Sequence, residues 1–171
     1  MMDITPYVEC IYQVHPTTIE QVIKNESSFR PFAINVNKKK DQPAPRFSQP
    51  KTKQKAIELA NYYLSLGHSV DLGLMQINTN NLKAYGVTVA DMFEPCKNIQ
   101  VGSQILHEGY QRALKIDTNP SAALQIALSY YNTGSPHRGF RNGYVKKYIR
   151  NAPITNVFTT SSNVSTQGLY D

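Results

Sequence analysis

Apolar positions recur at helical spacing over most of the chain, and the first such stretch ends on a charge. In "QVIKNESSFRPFAIN", residues 21–35, Val22 and Ile23 mark the inward face of a helix. Glu26 follows Val22 by four positions and Ile23 by three, spacings that share one helix face. The helix begins near Thr17, after Pro16, where Thr17-Thr18-Ile19-Glu20 fits a capping box. It stops by Arg30, because Pro31 biases the residue before it away from helix. Glu26 therefore falls in or near the last turn, at the negative end of the helix dipole. Nothing in helix formation asks for a carboxylate there, and burial and the dipole both raise its pKa.

Further along, residues 35–51 are rich in Lys, Pro and Gln and read as an exposed, mobile loop. Residues 52–66 follow as a helix with Ala56, Leu59, Ala60, Tyr63 and Leu66 inward, stopped by Gly67. "SVDLGLMQIN" is too short and mixed for a helix. As one extended strand it puts Leu72, Leu74, Gln76 and Asn78 on one side and Gly73, Met75 and Ile77 on the other. Short helical pieces are expected around 79–84 and 88–92, then a longer helix to about Leu114 with a seam of Ile99, Gly102, Leu106, Tyr110 and Ala113. Asn119-Pro120 is a helix start, with Asn as cap and Pro at the first position. That helix is apolar nearly all round, which makes it central, and "TGSPHRG" breaks it. A last helix over about 140–150 places Tyr144, Val145, Tyr148 and Ile149 on one face. Residues 151–171, rich in Ser, Thr and Asn, read as a flexible tail after a catalytic domain over 1–150. The class is mainly α with a short irregular β segment.

Composition changes this picture little, but charge placement does. The 171 residues suit one domain with a real core, and no apolar run is long enough to span a membrane. "MMDITPYVEC" lacks a basic start and an apolar core, so an export signal is either unused or already removed. The net charge is +6, and residues 38–55 alone carry it: Lys38, Lys39, Lys40, Arg46, Lys51, Lys53 and Lys55 against Asp41. A solvated face is the ordinary reading of such a run, and contact with an anionic polymer is the functional one. Cys10 and Cys96 are either two free thiols or a disulfide, and their spacing leaves both open. His15, His68, His107 and His137 are scattered, so no metal-ligand cluster and no cofactor is expected.

Four pieces then line up: Glu26-Ser27-Ser28-Phe29, Gly73-Leu74-Met75-Gln76-Ile77, Asn98-Ile99 with Gly102, and Ala127 through Tyr130-Tyr131-Asn132 to Gly134. In this order they resemble the lytic transglycosylase (SLT) domain of the lysozyme-like superfamily, over about residues 12–150. "FRPFAINVN", "GHSVDLGLMQIN" and "MFEPCKNIQVG" resemble more closely the peptidoglycan-cleaving subunit of type IV secretion and conjugation systems. The resemblance implies a goose-type-lysozyme-like helical fold and a periplasmic or cell-envelope location. It also shifts Cys10 and Cys96 toward a disulfide.

The resemblance further implies that Glu26 is the catalytic acid and that the substrate is the glycan strand of peptidoglycan. Cleavage of the β-1,4 bond after N-acetylmuramic acid would proceed by attack of that sugar's own 6-hydroxyl, leaving a 1,6-anhydro end. A general acid must hold its proton near neutral pH, which suits the placement of Glu26. Gln76, Tyr131 and Asn132 match positions that contact sugar or the acid, and Met75 is grouped with them, packing being its alternative role. Asn35 stands nine residues after Glu26, where many relatives carry a substrate-contacting Ser.

Hydrolytic glycosidases use two carboxylates. Asp71 is the acid placed to serve as the second, and the alternative for it is capping a loop. With Asp71 active the enzyme would be a lysozyme. A non-catalytic glycan-binding assembly factor is another alternative, which the intact Glu26 disfavours. Nucleic-acid binding through residues 38–55 ranks last, because Phe47 is the one aromatic in that run. The partners implied are glycan strands and secretion or conjugation components, with no specific nucleic acid and no integral membrane segment.

Overall fold

The computed structural model describes residues 3–151. The chain forms two units, one of residues 3–10 and 22–102, the other of residues 11–21 and 103–151. Two helices run from one unit into the other: α1 (Pro16–Ser27) and α4 (Pro95–Leu114).

In the first unit a 3-10 turn at Thr5–Cys10 precedes the C-terminal part of α1. Val22 and Ile23 are completely buried, as their spacing predicts. The sheet has three short antiparallel strands, β1 (Ile34–Val36), β2 (Val70–Leu72) and β3 (Ile77–Asn78), in that spatial order. Helix α2 (Lys53–Ser65) packs on β1 and β2. It is capped by Thr52, whose side chain accepts from Lys55 N–H, and it closes at Leu66 before Gly67 at φ 85°. Helix α3 (Leu82–Tyr85) and 3-10 turns at Thr79–Asn81 and Asp91–Phe93 lead to α4. A disulfide joins Cys10 to Cys96 with 5.3 Å between their Cα atoms.

The second unit packs α5 (Pro120–Thr133), α6 (Arg138–Arg141) and α7 (Tyr144–Asn151) on one another. Asn119 caps α5 by accepting from Ala122 N–H, and Pro120 takes the first position. The α5 residues Ala123, Leu124, Ala127 and Leu128 are completely buried. Gly139 of α6 packs on α5 so closely that a Cβ there would lie 2.6 Å from Ser129 Cα.

Several expectations are corrected. The capping box at Thr17 does not form: Pro16 already lies in α1, and His15 caps it, Nδ1 accepting from Thr17 N–H (3.2 Å) and the carbonyl from Thr18 N–H (3.0 Å). "SVDLGLMQIN" is not one strand. Gly73 (φ 72°) and Gln76 (φ 53°) both take left-handed backbone and fold it into a hairpin. The run 35–51 is not loop throughout, because Asn35 and Val36 belong to β1. Gln49 then returns to β1, accepting from Ile34 N–H (3.0 Å) and donating to Ile34 carbonyl (2.9 Å). Leu66, the residue that closes α2, and Ile149, in the last turn of α7, are exposed although expected inward. The tail expected over 151–171 lies, beyond Asn151, outside the described residues.

Candidate active site

Glu26 occupies the last turn of α1 and is half-buried, one residue before fully buried Ser27. The chain turns sharply after it. Ser27 Oγ donates back to Ile23 carbonyl (3.1 Å), and Ser28 N–H reaches Lys24 carbonyl (3.1 Å). Ser28 (φ 52°) and Phe29 (φ 61°) both adopt left-handed backbone, which non-glycine residues enter at a cost of order 1 kcal/mol each. Arg30 fixes the turn, its backbone N–H and Nε both donating to Ser27 carbonyl at 3.1 Å.

This turn is coupled to the GLMQ turn through one atom. Ala33 carbonyl accepts from Gly73 N–H (2.8 Å) and from Gln76 Nε2 (3.1 Å). Gln76 Nε2 also donates to Gly73 carbonyl (2.9 Å). The amide nitrogen of Gln76 thus fastens its own turn to the segment that leaves α1, and its Oε1 is the acceptor left to offer a ligand. Met75, grouped with the substrate contacts by sequence, is completely buried. Its backbone N–H donates to Asn98 Oδ1 (2.8 Å), and its side chain packs where Gly102 leaves room. Met75 therefore supports the turn from beneath.

The sheet has an apolar and a polar face. Ile34, Val36, Val70, Leu72 and Ile77 are buried, while Asn35, Asp71 and Asn78 stand in cross-strand register on the other face. Asp71 accepts from Asn78 Nδ2 (2.8 Å), Asn35 Nδ2 (3.1 Å) and Asn37 Nδ2 (3.4 Å). Its role is wider than capping a loop, since it orients amides from both neighbouring strands. Asn37 and Asn78 escape a reading of the sequence, because they reach Asp71 only through the pairing of β1 and of β3 with β2. Asn98 escapes it as a fixing residue. It is fully buried, and beyond its bond to Met75 it donates from Nδ2 to Leu72 carbonyl (2.9 Å) and Met92 carbonyl (2.8 Å). Its signal in the sequence is an amide at the apolar start of a long helix.

The second unit holds Tyr131, half-buried, and Asn132, exposed, in the last turn of α5. Gly134 ends that helix at φ 72° with its N–H on Tyr130 carbonyl (2.7 Å). Asn132 Oδ1 accepts from Asn142 Nδ2 (2.8 Å). Arg138 Nη2 binds Thr133 carbonyl (2.7 Å), a cation at the negative end of α5.

The family model described as "Transglycosylase SLT domain" matches residues 5–153. The chain belongs to the transglycosylase SLT domain family. Among curated proteins, this SLT chain is 35% identical over 153 residues to the type IV secretion system protein virB1 of Brucella abortus biovar 1, covering 86% of this chain and 62% of that one. Protein virB1 of Agrobacterium fabrum is 32% identical over 139 residues, covering 81% and 54%, and that of Rhizobium radiobacter is 33% identical over 139 residues, covering 81% and 56%. The SLT chain spans 62% or less of the length of these curated relatives. No solved structure matches it. The mainly α, lysozyme-like fold with a small sheet is that of the family.

Proposed function

We propose that this SLT chain is a peptidoglycan lytic transglycosylase that opens the cell wall locally for a type IV secretion or conjugation apparatus, with Glu26 as its catalytic acid. The observation that carries the reading is the setting of Glu26: half-buried, in the last turn of α1, on a turn tied through Ala33 to Gln76. The negative end of a helix and partial burial both favour the neutral carboxyl that a general acid needs.

Glu26 first gives its proton to the glycosidic oxygen as the bond to C1 of N-acetylmuramic acid breaks. The resulting carboxylate takes the proton from that sugar's 6-hydroxyl while the oxygen bonds to C1. The products are a 1,6-anhydro end and a free 4-hydroxyl on the leaving glycan, and Glu26 is protonated again. Gln76 through Oε1, Asn35, Asn132 and Tyr131 are the groups that bind sugar. Asp71, whose oxygens already receive three amide hydrogens, holds Asn35 and Asn78 in place and is poorly suited to activating water. That favours the anhydro product over hydrolysis. The names of the relatives support the link to secretion, and the Cys10–Cys96 disulfide supports a periplasmic location.

The test is a zymogram on whole cell wall with Glu26→Gln beside wild type, and mass spectrometry of the products. Clearing with anhydro ends by wild type and none by a folded Glu26→Gln is expected. Equal clearing by the variant removes the assignment, and reducing ends from wild type identify a hydrolase.

A further inference from the structure

From Thr118 to Tyr170 the sequence holds no acid, and five cations cluster within residues 138–150: Arg138, Arg141, Lys146, Lys147 and Arg150. Helices α6 and α7 carry them, and both helices pack on α5. Their small and apolar residues go inward, with Gly139, Tyr144, Val145 and Tyr148 buried. Gly139 N–H donates to Ser129 Oγ of α5 (2.8 Å), and Tyr144 N–H donates to Asn142 Oδ1 (2.9 Å). These bonds fix how the two helices are presented. The charge left outward is of one sign. Arg138, Arg141, Lys146 and Lys147 are exposed, and none of them forms an ion pair among the described residues. Two large apolar side chains stand among them in water, Phe140 at 43% exposure and Ile149 at 39%. Ile149 lies three residues beyond Lys146, a spacing that shares one helix face.

We propose that the outward surface of α6 and α7 docks on an anionic phospholipid bilayer. Phosphate headgroups spread in a plane ask for one sign of charge rather than for individually matched partners, and this surface supplies it. Long Lys and Arg stems let the charges meet the headgroups while Phe140 and Ile149 enter the boundary below them. The other basic stretch, residues 38–55, lacks that combination. There Lys53 pairs with Glu94, Lys39 binds Leu66 carbonyl, and Asp41 interrupts the run. Its aromatic, Phe47, is turned onto Tyr63 with ring centres 5.5 Å apart. A single-stranded nucleic acid would stack its bases on several exposed aromatics, whereas the exposed residues of α6 and α7 include one, Phe140. The inference stands apart from the catalytic reading, since it uses none of the residues assigned to the site.

The experiment is co-sedimentation of the full chain with vesicles of phosphatidylethanolamine containing about one third phosphatidylglycerol, beside vesicles of phosphatidylcholine alone. Binding to the anionic vesicles only, weakened by salt, is expected. Each cation near such a surface strengthens partitioning about fivefold, so Lys146→Gln with Lys147→Gln lowers it about twentyfold. The same double variant clears lipid-free cell wall as fast as wild type. Insertion is read directly, because the chain holds no tryptophan. The emission of Phe140→Trp shifts to the blue on anionic vesicles, and that of Tyr62→Trp, a 56% exposed position in the first unit, does not. Equal binding to both kinds of vesicle, or unchanged binding by the double variant, overturns the proposal. So does a shift at Tyr62→Trp with none at Phe140→Trp. Slower clearing of lipid-free wall by the folded double variant assigns the cations to substrate instead. Binding to an acidic polypeptide such as polyglutamate with none to anionic vesicles assigns the surface to a protein partner, and both results overturn the proposal. Vesicle binding and the zymogram are separate readouts, so this inference can fail while the transglycosylase reading stands.

Discussion

Asn35 and Asp71 face each other across β1 and β2, and the Asn35 amide donates to the Asp71 carboxylate at 3.1 Å. Asp71 receives further amide hydrogens from Asn37 and Asn78, so one charge sets the direction of three neutral side chains. Hydrogen bonds to a charged acceptor contribute about 1.5–3 kcal/mol each when sheltered, and less at a half-exposed site. Asp71→Ala should therefore lower stability by about 1–3 kcal/mol in urea unfolding and reduce wall cleavage severalfold. Asp71→Asn should fall between, since it keeps an acceptor oxygen but adds a fourth amide donor to the cluster.

Asn98→Ala should be more damaging. The side chain is fully buried and satisfies the Met75 N–H and the Leu72 and Met92 carbonyls at once. Removing it strands buried backbone groups that cost about 1–3 kcal/mol each, so a loss of about 3–5 kcal/mol is expected. Asn98→Asp should not rescue it, because a carboxylate would face the two carbonyls that the amide nitrogen now serves. Thermal unfolding of the two variants checks both statements.

Gly102→Ala tests the floor of the GLMQ turn. A Cβ there would lie 2.8 Å from Met75 Cε and 2.9 Å from Met75 Cβ, so Met75 must move. Overpacking of this kind costs about 1–3 kcal/mol. Combining Gly102→Ala with Met75→Ala should recover part of the loss, a non-additivity that a double-mutant cycle measures.

Asp91 makes a defined acid contribution to the pH dependence. The Lys97 ammonium donates to Asp91 at 2.8 Å and Thr88 N–H donates to it at 3.0 Å, and these hold the Asp91 carboxyl down at about 2 against an ordinary 3.8. A carboxyl lowered on folding stabilises the fold fully above 3.8 and loses that contribution as pH falls toward about 2. In acid titration followed by circular dichroism, Asp91→Asn should be less stable than wild type at pH 6. The difference should shrink as pH falls through that window.

Much of the helical frame was legible in the sequence, because its signals are local. Val22 and Ile23, the α4 seam and the Asn119-Pro120 start depend on spacing and capping within one element. The hairpin was not. Alternation along a single strand puts Leu72 with Asn78, whereas the four-residue connection pairs Leu72 with Ile77 and Asp71 with Asn78. That reversal moves Asn78 to the polar face and follows from the left-handed backbone at Gln76, a residue type that does not advertise it. Met75 was misplaced for a related reason. Inside a turn, the side chain next to a half-buried residue can point straight into the core. His15 displaced Thr17 as cap because Pro16 begins the helix one residue earlier.

The sulfur bridge between Cys10 and Cys96 closes residues 10–96 into a covalent ring, with an 86-residue separation along the chain. Glu26, Asn35, Asp71 and Gln76 all lie on that ring. A protease that nicks the lysine-rich stretch between Lys38 and Lys51 would open the ring without releasing a fragment. The severed halves would travel as one molecule on a gel until a reductant parted them.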